Sequence, residues 1–273
     1  MTANSGANEA ITPAWVGNKI KRIFVRLWRR DFIRRRSKYV YPPNGAGGPA
    51  YAIAYNEHGA YCVPMDAIHR PASRYVMAGR VWEAETLAFI AEHLGEGDII
   101  HAGAFFGDFL PFLSKHMAPG ALVWAFEPNR ANHKAAQLTC SIGDLDNVRL
   151  FEAGLGPDSG AAKLVTKNNR GLDLGSASFI AAEDAADGCS EEIDLVSLDQ
   201  AVPEDRRIAV LHLDVEGFEE QALSGALKLI ERCRPVVLLE TTPPEDWMTA
   251  HLYALGYART GQVDNNHVFT AEG

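Results

Sequence analysis

A Rossmann-like α/β fold, a mostly parallel twisted sheet with helices on both faces, is what this sequence predicts, and three observations carry it. Asp98 to Asn129 reads as an apolar run, a glycine-bearing loop, a helical pattern and a second apolar run ending in an acid, which makes a βαβ unit. Further apolar runs and helical periodicities alternate after it at a spacing that suits parallel strands covered on both faces. Polar residues then gather just past the strand ends, where ligands of such sheets bind. By composition the chain divides into residues 1–41, a polar start and a basic amphipathic helix; 42–81, a linker and a β-hairpin; and 82–273, the Rossmann-like domain.

Taken in order, residues 1–14 are small and polar and predict no fixed structure. Val16, Ile20, Ile23, Phe24, Leu27 and Trp28 then recur at helical spacing among Lys19, Lys21, Arg22, Arg26, Arg29 and Arg30. Ten Lys or Arg and one Asp lie between Lys19 and Lys38, a local +9 in a chain of net charge −9. Three readings stand for residues 15–38: docking on an acidic face of the chain or of a second copy, peripheral contact with an anionic membrane, and nucleic-acid binding. The strongly acidic remainder and the lack of a nucleic-acid module argue against the third.

Pro42 to Pro49 is a linker by composition, and Tyr51–Tyr55 and Ala60–Val63 flank Asn56-Glu57-His58-Gly59 as a hairpin. Trp82–Leu94 has helical intervals and ends in Gly95-Glu96-Gly97. Beyond it the pattern predicts helix 108–117, strand 121–126, helix 130–141, strands 148–152, 161–165 and 208–213, helix 218–232, strand 235–240 and helix 245–255.

Composition excludes several classes. A 47% hydrophobic share with 22% charge is ordinary for a soluble protein, and no apolar run approaches the ~20 residues of a membrane span. No leader-like pattern precedes the first strand, so a cytoplasmic protein is expected, with the inner membrane surface as the site of any peripheral contact. Cys62, Cys140, Cys189 and Cys233 are scattered without ligand spacing and read as reduced thiols.

The loop Gly103-Ala104-Phe105-Phe106-Gly107 offers G-x-x-x-G, not the G-x-G-x-x-G of dinucleotide folds. Glycines there let a ligand approach the backbone, and the helix after Asp108 aims its free N–H groups at the same place. Glu127 ends the second strand about twenty residues on, where an acid accepts both hydroxyls of a ribose. An adenosine-bearing ligand is expected. The loop resembles motif I of the Rossmann-like S-adenosylmethionine methyltransferases; a tight strand-to-helix turn of another α/β protein would look similar.

His212-Leu213-Asp214-Val215-Glu216-Gly217-Phe218-Glu219 follows the strand at Ile208. Asp214 and Glu216 fall past its carboxyl end, where carboxylates hold an amine, take a hydroxyl proton or bind a divalent cation; capping of the next helix is the plainer role. Glu240, ending the strand from Pro235, faces the same cleft or pairs with a nearby base.

Phe126-Glu127-Pro128-Asn129, Leu198-Asp199, Leu213 to Glu219 and Arg234 to Glu240 together resemble the FkbM-type methyltransferase family over roughly residues 95–260. The resemblance implies a Rossmann-like methyltransferase fold and transfer of the S-adenosylmethionine methyl group, usually to a hydroxyl of a sugar, glycolipid or polyketide. It implies that His101, Gly103, Ala104, Phe105, Gly107, Asp108, Glu127, Pro128 and Asn129 surround the cofactor and that Asp214 and Glu216 border the reaction centre. It places Ser176, in Gly175-Ser176-Ala177-Ser178, on the cofactor or acceptor side. Two positions depart from the family: His101 stands where motif I carries an acid, and His212 where a lysine is common.

The expected chemistry is in-line displacement at the sulfonium methyl, with His212, Asp214 or Glu216 as the base. A divalent cation held by Asp214 and Glu240 is a lesser expectation. The acceptor is expected to be a small molecule or glycan, nucleic acid is not expected, and homo-oligomers are compatible with the sequence. Two other classes stay open: a pseudo-enzyme or assembly protein docking through the basic helix, and a dehydrogenase.

Overall fold

The computed structural model describes residues 38–40, 51–167, 173–179 and 190–271. The basic helix expected over residues 15–38 lies outside them except for its last residue.

The first described elements are β1 (Lys38–Val40), β2 (Tyr51–Tyr55) and β3 (Ala60–Pro64), an antiparallel sheet, followed by α1 (Pro71–Met77) and α2 (Ala84–His93). Then come β4 (Asp98–Ala102), α3 (Leu110–His116), β5 (Val123–Phe126), α4 (Arg130–Gly143) and β6 (Val148–Phe151). A second sheet holds β7 (Gly154–Leu155), β8 (Gly160–Lys167), β9 (Asp173–Phe179) and β10 (Ser190–Val196) in the order β7-β10-β8-β9. The chain continues through α5 (Leu198–Ala201), β11 (Ile208–Leu213), α6 (Glu219–Ser224), α7 (Leu227–Cys233), β12 (Val236–Leu239), α8 (Glu245–Ala250), β13 (Tyr257–Val263) and β14 (Asn266–Ala271).

The central sheet runs β13-β14-β12-β11-β4-β5-β6. From β6 to β12 all pairs are parallel, and β14 is antiparallel to both of its neighbours. The architecture is Rossmann-like, as expected. Its strands read as unbroken apolar runs because both faces are covered. Ile99, Val210 and Leu238 pack with Leu87, Ile90 and Leu113 on one face, while Ile100, Leu211 and Leu239 pack with Leu223 and Ile230 on the other. The order reverses between β4 and β11, and a cleft opens at the carboxyl ends on either side of that reversal.

Asp98 anchors the start of β4. It is 2% exposed and accepts from the Leu122 N–H and Trp124 Nε1 (both 2.8 Å), from Arg206 Nε (2.7 Å) and from Arg206 Nη2.

The hairpin β2–β3 is no free appendage. The Cys62 N–H donates to Thr139 Oγ1 (2.9 Å), which donates to the Phe106 carbonyl (2.8 Å). Tyr61, Val63, Val76, Phe106 and Ala135 close one apolar cluster over the loop after β4.

Two expectations need correction, and one hairpin adds to them. The helix expected over 218–232 breaks into α6 and α7 at Gly225, where a Cβ would lie 2.0 Å from the Gly156 carbonyl oxygen. The Asp199 carboxylate caps the second piece, accepting from Lys228 N (3.2 Å) and Leu229 N (2.8 Å). The helix expected over 245–255 stops at Ala250 and ends in a 3₁₀ turn, Tyr253–Leu255. The hairpin β13–β14, unforeseen, turns at Asp264-Asn265 and completes the sheet.

Among the described residues no helix is long and apolar enough to cross a membrane, and Cys62, Cys140 and Cys233 are free thiols.

Candidate functional site

A cavity of about 380 Å³ opens at the carboxyl ends of β4, β5, β11 and β12. Gly103, Phe105, Glu127 and Asp214 are in its wall, with Arg70 from the N-terminal extension and Trp82 from the turn before α2. Three of its wall residues, Glu83, Phe105 and Glu216, have left-handed backbones (φ 44°, 47° and 53°), unusual for side chains of this size and concentrated at one site.

Glu127 is the best-fixed polar group. Its Oε2 accepts from the Phe105 N–H and its Oε1 from the Asn129 N–H, both at 2.8 Å. Burial pushes its pKa up to about 7, against the pull of those two donors. The Asn132 side chain is a third hydrogen-bond partner, so one of the carboxylate's roughly four acceptor positions stays open to a hydroxyl in the cavity. Pro128 lines the wall beside it, and Asn129 caps α4 by accepting from the Asn132 N–H (3.0 Å). Asn132, itself in the wall, was not foreseen.

The loop glycines serve packing more than ligand approach, contrary to expectation. A Cβ on Gly103 (φ +85°) would lie 1.9 Å from the Asp214 carbonyl oxygen, and one on Gly107 (φ +84°) would meet Leu110 and Thr139 at 3.1 and 3.3 Å. Gly103 lines the cavity; Ala104 is fully buried behind it. Phe105 lies in the wall, while Phe106 turns away into the hairpin cluster, so neither ring closes the cleft off as a plug.

Six acids border the cavity: Glu83, Asp108, Glu127, Asp214, Glu216 and Glu240. Loss of hydration raises the Asp108 pKa to about 7, with Glu83 and Glu127 adding to it. Asp214 is held well above the ordinary carboxylate range by burial and by its hydrogen bond to Glu240. Glu216 sits at the rim, paired with Arg70 at 3.0 Å. Helix capping explains neither, since α6 has no side-chain cap. This surplus of acid suits a cationic ligand.

His212 is not where a base is needed. It is 1% exposed, does not line the cavity and has both ring nitrogens engaged, Nδ1 with His101 Nδ1 (2.9 Å) and Nε2 with Asn266 Oδ1 (3.1 Å). Burial lowers its pKa to about 4. His101 does reach the wall, and its Nε2 has no protein partner.

Ser176 lies on β9, among residues whose side chains are not described. Among the described residues no group of three or more His, Cys, Asp or Glu is arranged to hold a metal ion, and Asp214 and Glu240 bond to each other instead of spreading around one. Arg70 and Glu83 carried no sequence signal. Asn265, also in the wall, and Asn266 did, since Asp264-Asn265 between alternating segments marks a hairpin turn.

The residues fit S-adenosylmethionine: an anchored acid for a ribose, an acidic wall for two positive charges, and an unpaired acceptor at His101.

The sequence signature described as Methyltransferase FkbM domain matches residues 101–260. No curated protein matches the chain significantly. Among solved structures, methyltransferase FkbM from Methylobacillus flagellatus aligns at 16% identity and a TM-score of 0.43, over 64% of this chain and 43% of that one, so the match spans under half of its length. A methyltransferase from Geobacter sulfurreducens aligns at 11% identity and a TM-score of 0.42, over 70% and 80% of the two chains. M. jannaschii TYW2, solved in complex with AdoMet, aligns at 11% identity and a TM-score of 0.40, over 86% and 90%.

Proposed function

The chain belongs to the FkbM methyltransferase family, and from that premise we propose that it is an S-adenosylmethionine-dependent O-methyltransferase acting on a hydroxyl of a small molecule or glycan. One observation carries the reading: Glu127, fixed by two backbone N–H groups, faces an acid-walled cavity at the switch point of the sheet.

When bound, S-adenosylmethionine supplies an electrophilic methyl group on a good leaving group, so what remains for the protein is alignment and proton removal. Glu127 orients the ribose through the acceptor position its protein partners leave open. The acidic wall favours a cation and disfavours the neutral product formed on transfer. The hydrogen-bonded Asp214–Glu240 carboxyl pair stands in the cavity wall and is the base assigned to take the acceptor's hydroxyl proton. Glu216 at the rim is positioned with Arg70 to meet an acceptor, not the cofactor.

Calorimetric titration tests the cofactor: micromolar binding of S-adenosylmethionine and S-adenosylhomocysteine is expected, and no binding to the full chain overturns the reading. Mass spectrometry of extracts incubated with methyl-labelled S-adenosylmethionine and the protein tests the acceptor. Label on a hydroxyl oxygen is expected; label on nitrogen or carbon overturns the O-directed part.

A further inference from the structure

His101 and His212 are register partners on β4 and β11, the two strands at the sheet's reversal. Their rings are nearly coplanar (5°), meet edge to edge through Nδ1 atoms 2.9 Å apart, and lie parallel to the ring of Phe109. Burial keeps both imidazoles neutral at pH 7. Two neutral imidazoles in contact must divide the roles: one Nδ1 carries the hydrogen and the other accepts it.

The neighbours decide which. Asn266 Nδ2 lies 3.0 Å from Glu83 Oε2 and 3.3 Å from Thr86 Oγ1, and the Thr86 hydroxyl donates to Asp264 Oδ2 at 2.9 Å. With a carboxylate and an already-donating hydroxyl as partners, the amide must present its NH₂ to them and its carbonyl to His212. The reverse orientation would set the amide oxygen against the Glu83 carboxylate. His212 Nε2 therefore carries hydrogen and donates to Asn266 Oδ1 at 3.1 Å. His212 Nδ1 is then bare and accepts from His101 Nδ1–H. The neutral His101 ring has no hydrogen left for Nε2, a buried atom without a protein partner on a residue that lines the cavity.

We infer that the relay Glu83–Asn266–His212–His101 fixes His101 as the Nδ1–H tautomer and presents its Nε2 lone pair as the acceptor for the ligand's ammonium group. In a protein of this family the position ordinarily holds an acid; here a chain of hydrogen bonds running back to carboxylates supplies a neutral acceptor of fixed polarity. His101 is a binding residue, and His212 and Asn266 are positioning residues that act through it. The inference rests on the reading of the cavity as an S-adenosylmethionine site.

Two measurements on the full chain test it. Nitrogen-15 NMR of the ligand-free protein at pH 7 should show His101 with a protonated Nδ1 and an unprotonated Nε2; the opposite tautomer overturns the inference. Calorimetry then compares S-adenosylhomocysteine with its analogue lacking the amine, in wild type and His101→Phe. Wild type should prefer the amine by roughly tenfold or more, the loss expected for one hydrogen bond to a charged group. His101→Phe should lose that preference and keep its affinity for the analogue. An unchanged preference in the variant overturns the acceptor role while leaving the cofactor site standing. Failure of wild type to bind either nucleoside overturns the site and the ligand half of the inference with it. Should His101→Phe not fold, Asn266→Leu replaces it: a mixed His101 tautomer and a weakened amine preference support the relay, and an unaltered tautomer overturns it.

Discussion

Gly103 and Asp214 touch so closely that a Cβ at position 103 would fall 1.9 Å from the carbonyl oxygen of residue 214. The Asp214 N–H also donates to the Ala102 carbonyl at 3.1 Å, so the loops after β4 and β11 are held as one surface. Gly103→Ala must push them apart and force alanine into a left-handed backbone (φ +85°). We expect a loss of at least about 2 kcal/mol in urea denaturation, with weaker nucleoside binding because the cavity wall moves.

Glu127→Ala removes the ribose acceptor and strands two backbone N–H groups. Calorimetry should show nucleoside affinity reduced more than about tenfold. Glu127→Gln separates charge from shape. With its pKa raised to about 7, wild-type Glu127 is partly protonated at neutrality, so affinity should rise with pH between about 6 and 8 as the carboxylate ionises. Asp108, also near 7, contributes in the same direction, so the Gln variant should flatten this dependence without abolishing it.

Asp98→Ala leaves Arg206, Trp124 Nε1 and the Leu122 N–H without their common acceptor at a site 2% exposed. A buried charge stripped of its partner costs about 3–5 kcal/mol, and the Arg206 end is half-open to solvent, so the lower part of that range is expected in equilibrium denaturation.

For His212 the pKa shift is downward, opposite to that of the cavity acids. Its folded pKa of about 4 lies below the ordinary 6.5, so its contribution is complete above pH 6.5 and is lost as pH falls toward 4. Wild type should lose stability relative to His212→Asn by about 1.4 kcal/mol per pH unit over that interval, read from denaturation midpoints at each pH.

Asp214→Asn and Glu240→Gln each alter the hydrogen-bonded carboxyl pair. Each should lower kcat by about a hundredfold or more, with little change in cofactor affinity, once an acceptor is in hand.

The βαβ unit and Glu127 were legible because they are local: apolar runs, a loop and an acid at a set distance, all within one stretch. The parallel strands were legible because burial on both faces makes them uniformly apolar. What escaped depends on distant parts meeting. His212 looks like a base in sequence; only pairing with a residue 111 positions away shows that it is occupied. The break at Gly225 depends on the backbone of Gly156, and Glu83 enters the site from the turn before α2. The glycines of the loop were read as room for a ligand, and the room proved to be filled by the protein's own backbone and side chains.

The Cys62–Thr139–Phe106 tether has a practical reach. A fragment trimmed to begin at Trp82 would keep every element of the central sheet, yet it would lay Phe106 and Ala135 bare and strip the binding chamber of its Arg70 side. A fragment that keeps the chamber's wall therefore starts no later than Tyr51: the hairpin is brickwork of the chamber and not a porch in front of it.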